Sequence, residues 1–523
     1  MDNKKVFSKI SDYIFIFTAV SIILSLWFSL FWRNSYLIFL ISIILSYFIS
    51  KKFSLNLEFP SRPVFIILAI FLSLIAHPLL LIHPFYTASS DAIHSTINKI
   101  FTDRIPQTYA PFSDVRFNYQ IGFGLFSKIF TDLLWFVPDY IINWFIGIIF
   151  SLFFVILIYS VSLALFKQKK KAEICALLFL GTKTIFQMFY FGEWPGIVSI
   201  DFFLVTFYLF ITKNKLRYLT FPTTFVIHPF ASASMIMVLF FYGIFFKKTK
   251  QFFFLFPAIM LALPSLILNF LPSTSNILSS KVEQLNIFDV LSPFPLWFGI
   301  VPSVFFVIAL YNAVRKKIFT REIIFIFFIT LISVLLYIFL KFIQFDQADN
   351  VFMLITIFGV IFVSAGLPKF EIEKRKAISG LIIFFILASF FASKELNLLR
   401  SGSKLKLEEA DFASRLKEVS PDLEKAVFIS KGEGWMAHLA NKIPLNVRNS
   451  HFIHDSPSQI FNDAAWANVL DREKLWKEIM NGCSSCVLEA NVSIVVVNKE
   501  LSGIRLDEKI LLENEKFLAY KLS

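Results

Sequence analysis

The chain has 523 residues, 57% of them hydrophobic, with 69 Phe and a formal net charge of +13. No soluble fold has an interior large enough to hide that much apolar surface, so the composition excludes a soluble globular protein and defines a polytopic membrane protein. The positive charge reads as lysine in cytoplasmic loops, not as a nucleic-acid surface, and 3 Cys provide no disulfide framework.

The N-terminus MDNKKVFSKI is basic, and the apolar run after it is too long for the core of a cleaved signal peptide, which predicts a retained first helix. Apolar spans follow at about residues 13–32, 35–50, 63–83, 140–166, 172–190, 195–212, 251–271, 297–313, 322–341, 351–367 and 377–394. Lys4, Lys5 and Lys9 place the N-terminus in the cytoplasm, and Lys51 and Lys52 return there after two crossings. The third span then delivers the polar stretch Tyr86 to Gly124 to the outside, with Asp91, His94, Asp103, Arg104, Asp114 and Arg116 in it.

The next basic cluster, Lys167 to Lys171, requires one crossing only, and residues 140–166 supply it. The run Phe117 to Val137, which carries Lys128 and Asp132, is therefore expected to lie as an amphipathic helix at the outer surface. The run Tyr218 to Phe246 has basic residues on both flanks, so it is expected to go out and return, turning at His228-Pro229. The resulting fold class is mostly α: a polytopic helical bundle of about thirteen transmembrane helices, with the N-terminus inside.

From about residue 398 the composition turns polar. Short apolar runs such as AVFIS and VSIVVVNK alternate with helix-like stretches, which predicts a small extracytoplasmic α/β domain over 398–523. The division is thus a transmembrane domain over 1–397, with an outer loop at 84–138, followed by that domain. Its HFIH (His451, His454) and CSSC (Cys483, Cys486) do not form a recognisable zinc motif, and the cysteine pair reads as a small disulfide or two free thiols.

The polar groups then sort to one side. Facing outward are Asp91, His94 and Arg116 in the long loop, Glu193 in YFGEWPG, His228 in its turn, and Asp346 and Asp349 after Lys341. Such turns could converge on a cavity at the outer leaflet. Outward carboxylates are also commonly just solvated, and Ser90 or Asp91 suits an N-cap. His94 falls one turn after Asp91 on the same helical face. Lys183 and Asp201 lie mid-span on either side of Glu193, either paired with each other or with Lys183 facing the cavity.

This pattern resembles the GT-C class of membrane glycosyltransferases, in their divergent prokaryotic members. RIPQTYAPFS…FNYQIGFGLF looks like that family's G-x-P … Y-P-x-G-(F)-H stretch, with Arg104, Pro106, Tyr119, Gly122 and Phe123 in the matching places. FGEWPG and IHPF look like short loops that recur later in such chains, and KGEGWMAHLANKIPLNVRN looks like the segment after the acceptor motif of oligosaccharyltransferases. The WWDYG motif itself is absent, with only Trp435 in its neighbourhood. The resemblance implies a polyprenyl-phosphate-sugar donor, a glycan or lipid acceptor, and transfer at the outer face of the cell membrane. It casts Asp91, His94 and Glu193 as catalytic, with Asp91 the base. Glu193 either positions the acceptor or binds a divalent cation with Asp91. Arg116, Tyr119, Lys183, His228 and Lys341 are cast at the substrate. A transporter or flippase of a lipid or small solute, and a non-catalytic membrane scaffold, are the competing expectations.

Overall fold

A computed structural model of the chain describes residues 3–61, 64, 121–180, 182, 188, 194–265, 298, 300–317, 319–342, 348–366, 407–429, 433–444, 485, 492–500, 506 and 508–522. The protein is mostly helical. Helices α1 (Asn3–Phe28) and α2 (Ser35–Lys52) form an antiparallel pair, and the Asn34 side chain caps α2 by accepting from Leu37 N at 3.0 Å. Then come α3 (Ile121–Leu133), α4 (Asp139–Phe166), α5 (Lys169–Leu180) and α6 (Trp194–Ile211). A hairpin of α7 (Arg217–Ile227) and α8 (Pro229–Phe245) leads through a 3-10 turn, Thr249–Phe254, into α9 (Leu255–Leu261). The remaining bundle helices are α10 (Ile300–Arg315), α11 (Arg321–Phe342) and α12 (Ala348–Gly366).

Five helices among the described residues are long and apolar enough to cross a bilayer: Val6–Phe28, Ser35–Lys52, Asp139–Phe166, Trp194–Ile211 and Arg321–Leu340. A backbone in hydrocarbon must satisfy its polar groups internally, and apolar sequence of this length does so only as helix. The expected spans at 63–83 and 377–394 fall almost wholly outside the described residues.

The basic clusters gather at one end of the bundle. A strap after α2 crosses that end. Its Ser54 O accepts from Asn214 Nδ2 at 2.7 Å, its Asn56 O from Tyr208 OH at 2.7 Å, and its Glu58 O from Ser160 Oγ at 2.9 Å. Asp12 of α1 holds the strap from the other side, accepting from Leu55 N at 3.0 Å and from Ser54 Oγ. Lys171 Nζ donates to Ala365 O at 2.9 Å, which brings the last turn of α12 to the same end.

Helices reaching this end stop in a common way. Lys167, Lys213, Lys247 and Lys317, just past α4, α6, α8 and α10, all adopt left-handed backbone, with φ of 54°, 60°, 55° and 50°. That conformation usually falls to glycine. Here lysine takes it, and its charge meets the negative end of the helix dipole.

Helix α3 departs from expectation. It has 13 residues, about 20 Å at the α-helical rise, so it is too short to cross. It is not a surface helix, however: Ile121, Phe123, Leu125, Phe126 and Ile129 are all buried, and it packs on α1, α2, α7 and α4. Its charges are paired and only partly exposed. Lys128 Nζ lies 2.8 Å from Asp132 Oδ1, and Arg33 Nη2, in the α1–α2 turn, lies 3.6 Å from Asp132 Oδ2.

The C-terminal part adds α13 (Leu407–Val419), β1 (Glu424–Ile429), α14 (Glu433–Leu439), β2 (Lys442–Pro444), β3 (Ile494–Asn498), β4 (Lys509–Glu513) and β5 (Phe517–Lys521). The sheet order is β2-β1-β3-β5-β4, with β1 parallel to β2 and β3 and the β4–β5 hairpin antiparallel. Phe412, Ala413 and Leu416 of α13 cover Phe428, Ile494 and Val496 on one face. Tyr140, in the first turn of α4, makes an edge contact with His438 of α14 at 6.4 Å. Because α4 runs from Asp139 toward Lys167, that contact places the sheet at the end opposite the basic clusters.

Candidate functional site

His228 is where the described elements converge. Helix α7 stops after 11 residues, about 16 Å at the helical rise, so it ends inside the bundle. The Pro229 ring suits the first position of α8, and His228 between the two helices is extended, with φ −150° and ψ 106°. Its N–H donates to Thr224 O at 3.0 Å, and its carbonyl accepts from Ser232 N at 3.2 Å. The side chain is 8% exposed.

Beside it is a cavity of about 30 Å³. Gly196 and Ser199 line it from the first turns of α6, Ala231 and Ser234 from α8, and Met353 and Leu354 from the start of α12. The space suits a water molecule or two, so it marks where the elements meet and is not a finished sugar pocket. Helix α3 reaches the same place. A Cβ built on Gly122 would lie 2.7 Å from Ile227 N, the residue before His228. In the sequence Arg116 and Tyr119 precede α3, Glu193 precedes α6, and Asp346 precedes α12, while Asp349 falls in the first turn of α12.

Asp91, His94, Arg116, Tyr119, Lys183 and Glu193 lie outside the described residues, as do His451, His454, Cys483 and Cys486. Lys341 falls in the last turn of α11. Asp201 lies mid-way along α6, 0% exposed, and neither carboxylate oxygen has a hydrogen-bond partner among the described residues. Among the described residues no group of three or more His, Cys, Asp or Glu converges on a metal position. The divalent cation left open above would need Asp91 and Glu193.

Nothing in the sequence singles out Ser199 and Ser234. Buried serines in membrane helices usually bond back to their own helix, so they carry no distinguishing signal. Nor does the sequence single out Arg33, whose partner Asp132 is 99 positions away.

The chain matches no protein-family model, and comparison with curated proteins returns no match. The class defined here is a helical membrane protein with a small C-terminal α/β sheet unit.

Proposed function

We propose that this chain is an integral membrane glycosyltransferase of GT-C type. It moves a sugar from a polyprenyl-phosphate donor to an acceptor hydroxyl or a lipid-linked glycan. The observation that carries the reading is the meeting of four segments at His228: the start of α3, the start of α6, the α7–α8 turn and the start of α12. Three of them follow in sequence from polar segments assigned to the site, and the fourth is the His228 turn itself. The proposal carries with it a topology of about thirteen helices in the cell membrane, with the basic end in the cytoplasm and the site and the C-terminal domain on the outer side. What supports it is the set of five helices among the described residues that are long and apolar enough to cross.

In this reading the acceptor oxygen attacks the anomeric carbon, and the bond from that carbon to the phosphate oxygen breaks. The acceptor proton passes to the Asp91 carboxylate, a step worth about two to four orders of magnitude in rate. Polyprenyl phosphate leaves as a weak base and needs no general acid. Arg116, Lys183, His228 and Lys341 hold its charge as the bond breaks. His94 is assigned with Asp91 to catalysis and Tyr119 to the substrate, and Glu193 either orients the acceptor or binds a divalent cation with Asp91.

The test is Asp91→Asn in membranes supplied with a polyprenyl-phosphate sugar. Loss of transfer from a folded, membrane-inserted chain supports the enzyme over the scaffold, and undiminished transfer overturns the assignment. Buried Asp201 favours a second reading, a transporter, because intramembrane carboxylates are expensive and mark ion or solute paths. That reading wins if Lys183→Ala with Asp201→Ala stops solute movement and Asp91→Asn changes nothing.

A further inference from the structure

Away from His228, a groove of about 370 Å³ runs between α1, α3 and α4, within the roughly 300–1,000 Å³ range of ligand sites. Its walls include Phe17, Phe126, Phe130, Ile142, Ile146 and Phe150. They are set by mutual packing: Phe126 and Phe130 stand edge to face at 5.2 Å, and Phe17 meets both at 6.4 and 6.3 Å. The phenol of Tyr13, at one end, donates to Ile43 O at 3.4 Å and so is spoken for.

Two features say what fills the groove. Its mouth is formed by Leu134, Phe145 and Ile149, which are exposed on and beside α4. Helix α4 is long and apolar enough to cross a bilayer, and with α4 spanning, an opening on its flank faces hydrocarbon and not water. An empty slot there would forfeit dispersion contacts along its whole lining. The second feature is depth. Trp135 and Phe136, 80% and 68% exposed, sit between lining residues Leu134 and Val137. Phe31 and Trp32 are exposed in the neighbouring α1–α2 turn, which Arg33 and Asp132 tie to α3. Such aromatics mark the headgroup level. From Ile142 to Phe150 the wall on α4 descends about 12 Å at the helical rise, close to half of the roughly 30 Å hydrocarbon core.

We propose that the groove between α1, α3 and α4 holds one acyl chain of a phospholipid from the leaflet opposite the basic end, with its headgroup at the Trp135–Phe136 level. The length of one leaflet and the lateral opening suit an acyl chain of the bulk bilayer, whereas a polyprenyl chain is longer than the slot. The lipid acts as a packing element between α1 and α4, independent of any sugar transfer.

The experiment uses the full chain in phosphatidylcholine vesicles doped with a phosphatidylcholine that carries a photoactivatable diazirine at mid-chain. Peptide mapping is expected to find residues 13–18 and 142–150 labelled several-fold more than the lipid-facing α2 residues Leu40, Ile44 and Phe48. Ile149→Trp, at the mouth, is expected to cut groove labelling several-fold and leave α2 labelling unchanged. The proposal is overturned by groove labelling no greater than that of α2, by an Ile149→Trp chain that labels as before, or by a groove that takes only a photoactivatable polyprenyl phosphate. None of these outcomes depends on whether the chain transfers sugar.

Discussion

Gly122 and Ile227 meet backbone to backbone: a Cβ on Gly122 would stand 2.7 Å from Ile227 N and from Val226 O. The contact locks the start of α3 to the turn that presents His228. Gly122→Ala must therefore push α3 off α7 or displace that turn. Overpacking of this kind costs about 1–3 kcal/mol. A lower thermal midpoint in detergent is expected and, under the proposed function, a loss of sugar transfer larger than the fall in folded protein. An alanine variant with unchanged stability and activity would show that the two segments are not held together.

Arg33, with only 2% of its side chain exposed, is tied to Asp132, which also takes the Lys128 ammonium and the Ser35 hydroxyl. Asp132→Asn removes the one carboxylate from this group. Losing one member of a buried pair costs about 3–5 kcal/mol, and the partial exposure of Asp132 places the expected loss at or below the lower end. Lys128→Met, at a 21% exposed side chain, should cost under about 1 kcal/mol. Thermal unfolding of the two variants side by side reads the difference.

Much of the bundle was legible because apolar length and basic flanks are strong signals in a membrane chain. The expected spans at 140–166, 195–212 and 322–341 fall within two residues of α4, α6 and α11. The turn at His228 was legible from Pro229 and from lysines on both flanks. The burial of α3 was not, because the hydrophobic face of a surface helix and that of a short buried helix have the same periodicity. Its true environment is set by Val226, Ile227 and Arg33, which are remote in sequence. In the sheet, AVFIS and VSIVVVNK announced β1 and β3, but nothing local announced that the two pair with each other. The sequence marks the candidate site as a set of outward turns; most of their residues lie outside the described ones, and His228, which is described, is buried. The adjacency of α6, α8 and α12 around His228 is a packing result, and no single segment encodes it.

The lysines in left-handed backbone predict a simple stabilisation. For an L-residue that conformation costs about 1–2 kcal/mol, which glycine avoids. Lys247→Gly, at φ 55°, should raise the thermal midpoint, with part of the gain offset by losing a cation at the C-terminus of α8. A lowered midpoint would mean that the lysine's charge outweighs its backbone strain.

Glu424 sets a pH dependence in the sheet unit. Burial works to raise its carboxyl, but hydrogen bonds from Lys521 and Ser420 and the charges of Lys521 and Lys442 hold it below the ordinary value. The unfolded chain therefore takes up its proton at higher pH than the folded one. This contribution to stability is full at neutral pH and is lost as pH falls from the ordinary glutamate range through the lowered folded value. Proteolysis of the full-length protein around residues 424–444 should increase on acidification over that window. Glu424→Gln should be cut faster at neutral pH and show a flatter profile.

Asp201 sits in mid-helix with no partner among the described residues, and Lys183 is the partner the sequence suggests. The two accounts predict different double-mutant cycles. If Lys183 neutralises Asp201, then Lys183→Met alone should destabilise by about 3–5 kcal/mol, and adding Asp201→Asn should restore most of the loss. If the two are independent, Asp201→Asn should have the same effect in either background, and the effects should add within about 0.5 kcal/mol. A coupling near zero would remove the paired-hairpin reading and leave Asp201 as a buried ionisable group available for proton or solute movement, the one feature on which the transporter reading rests.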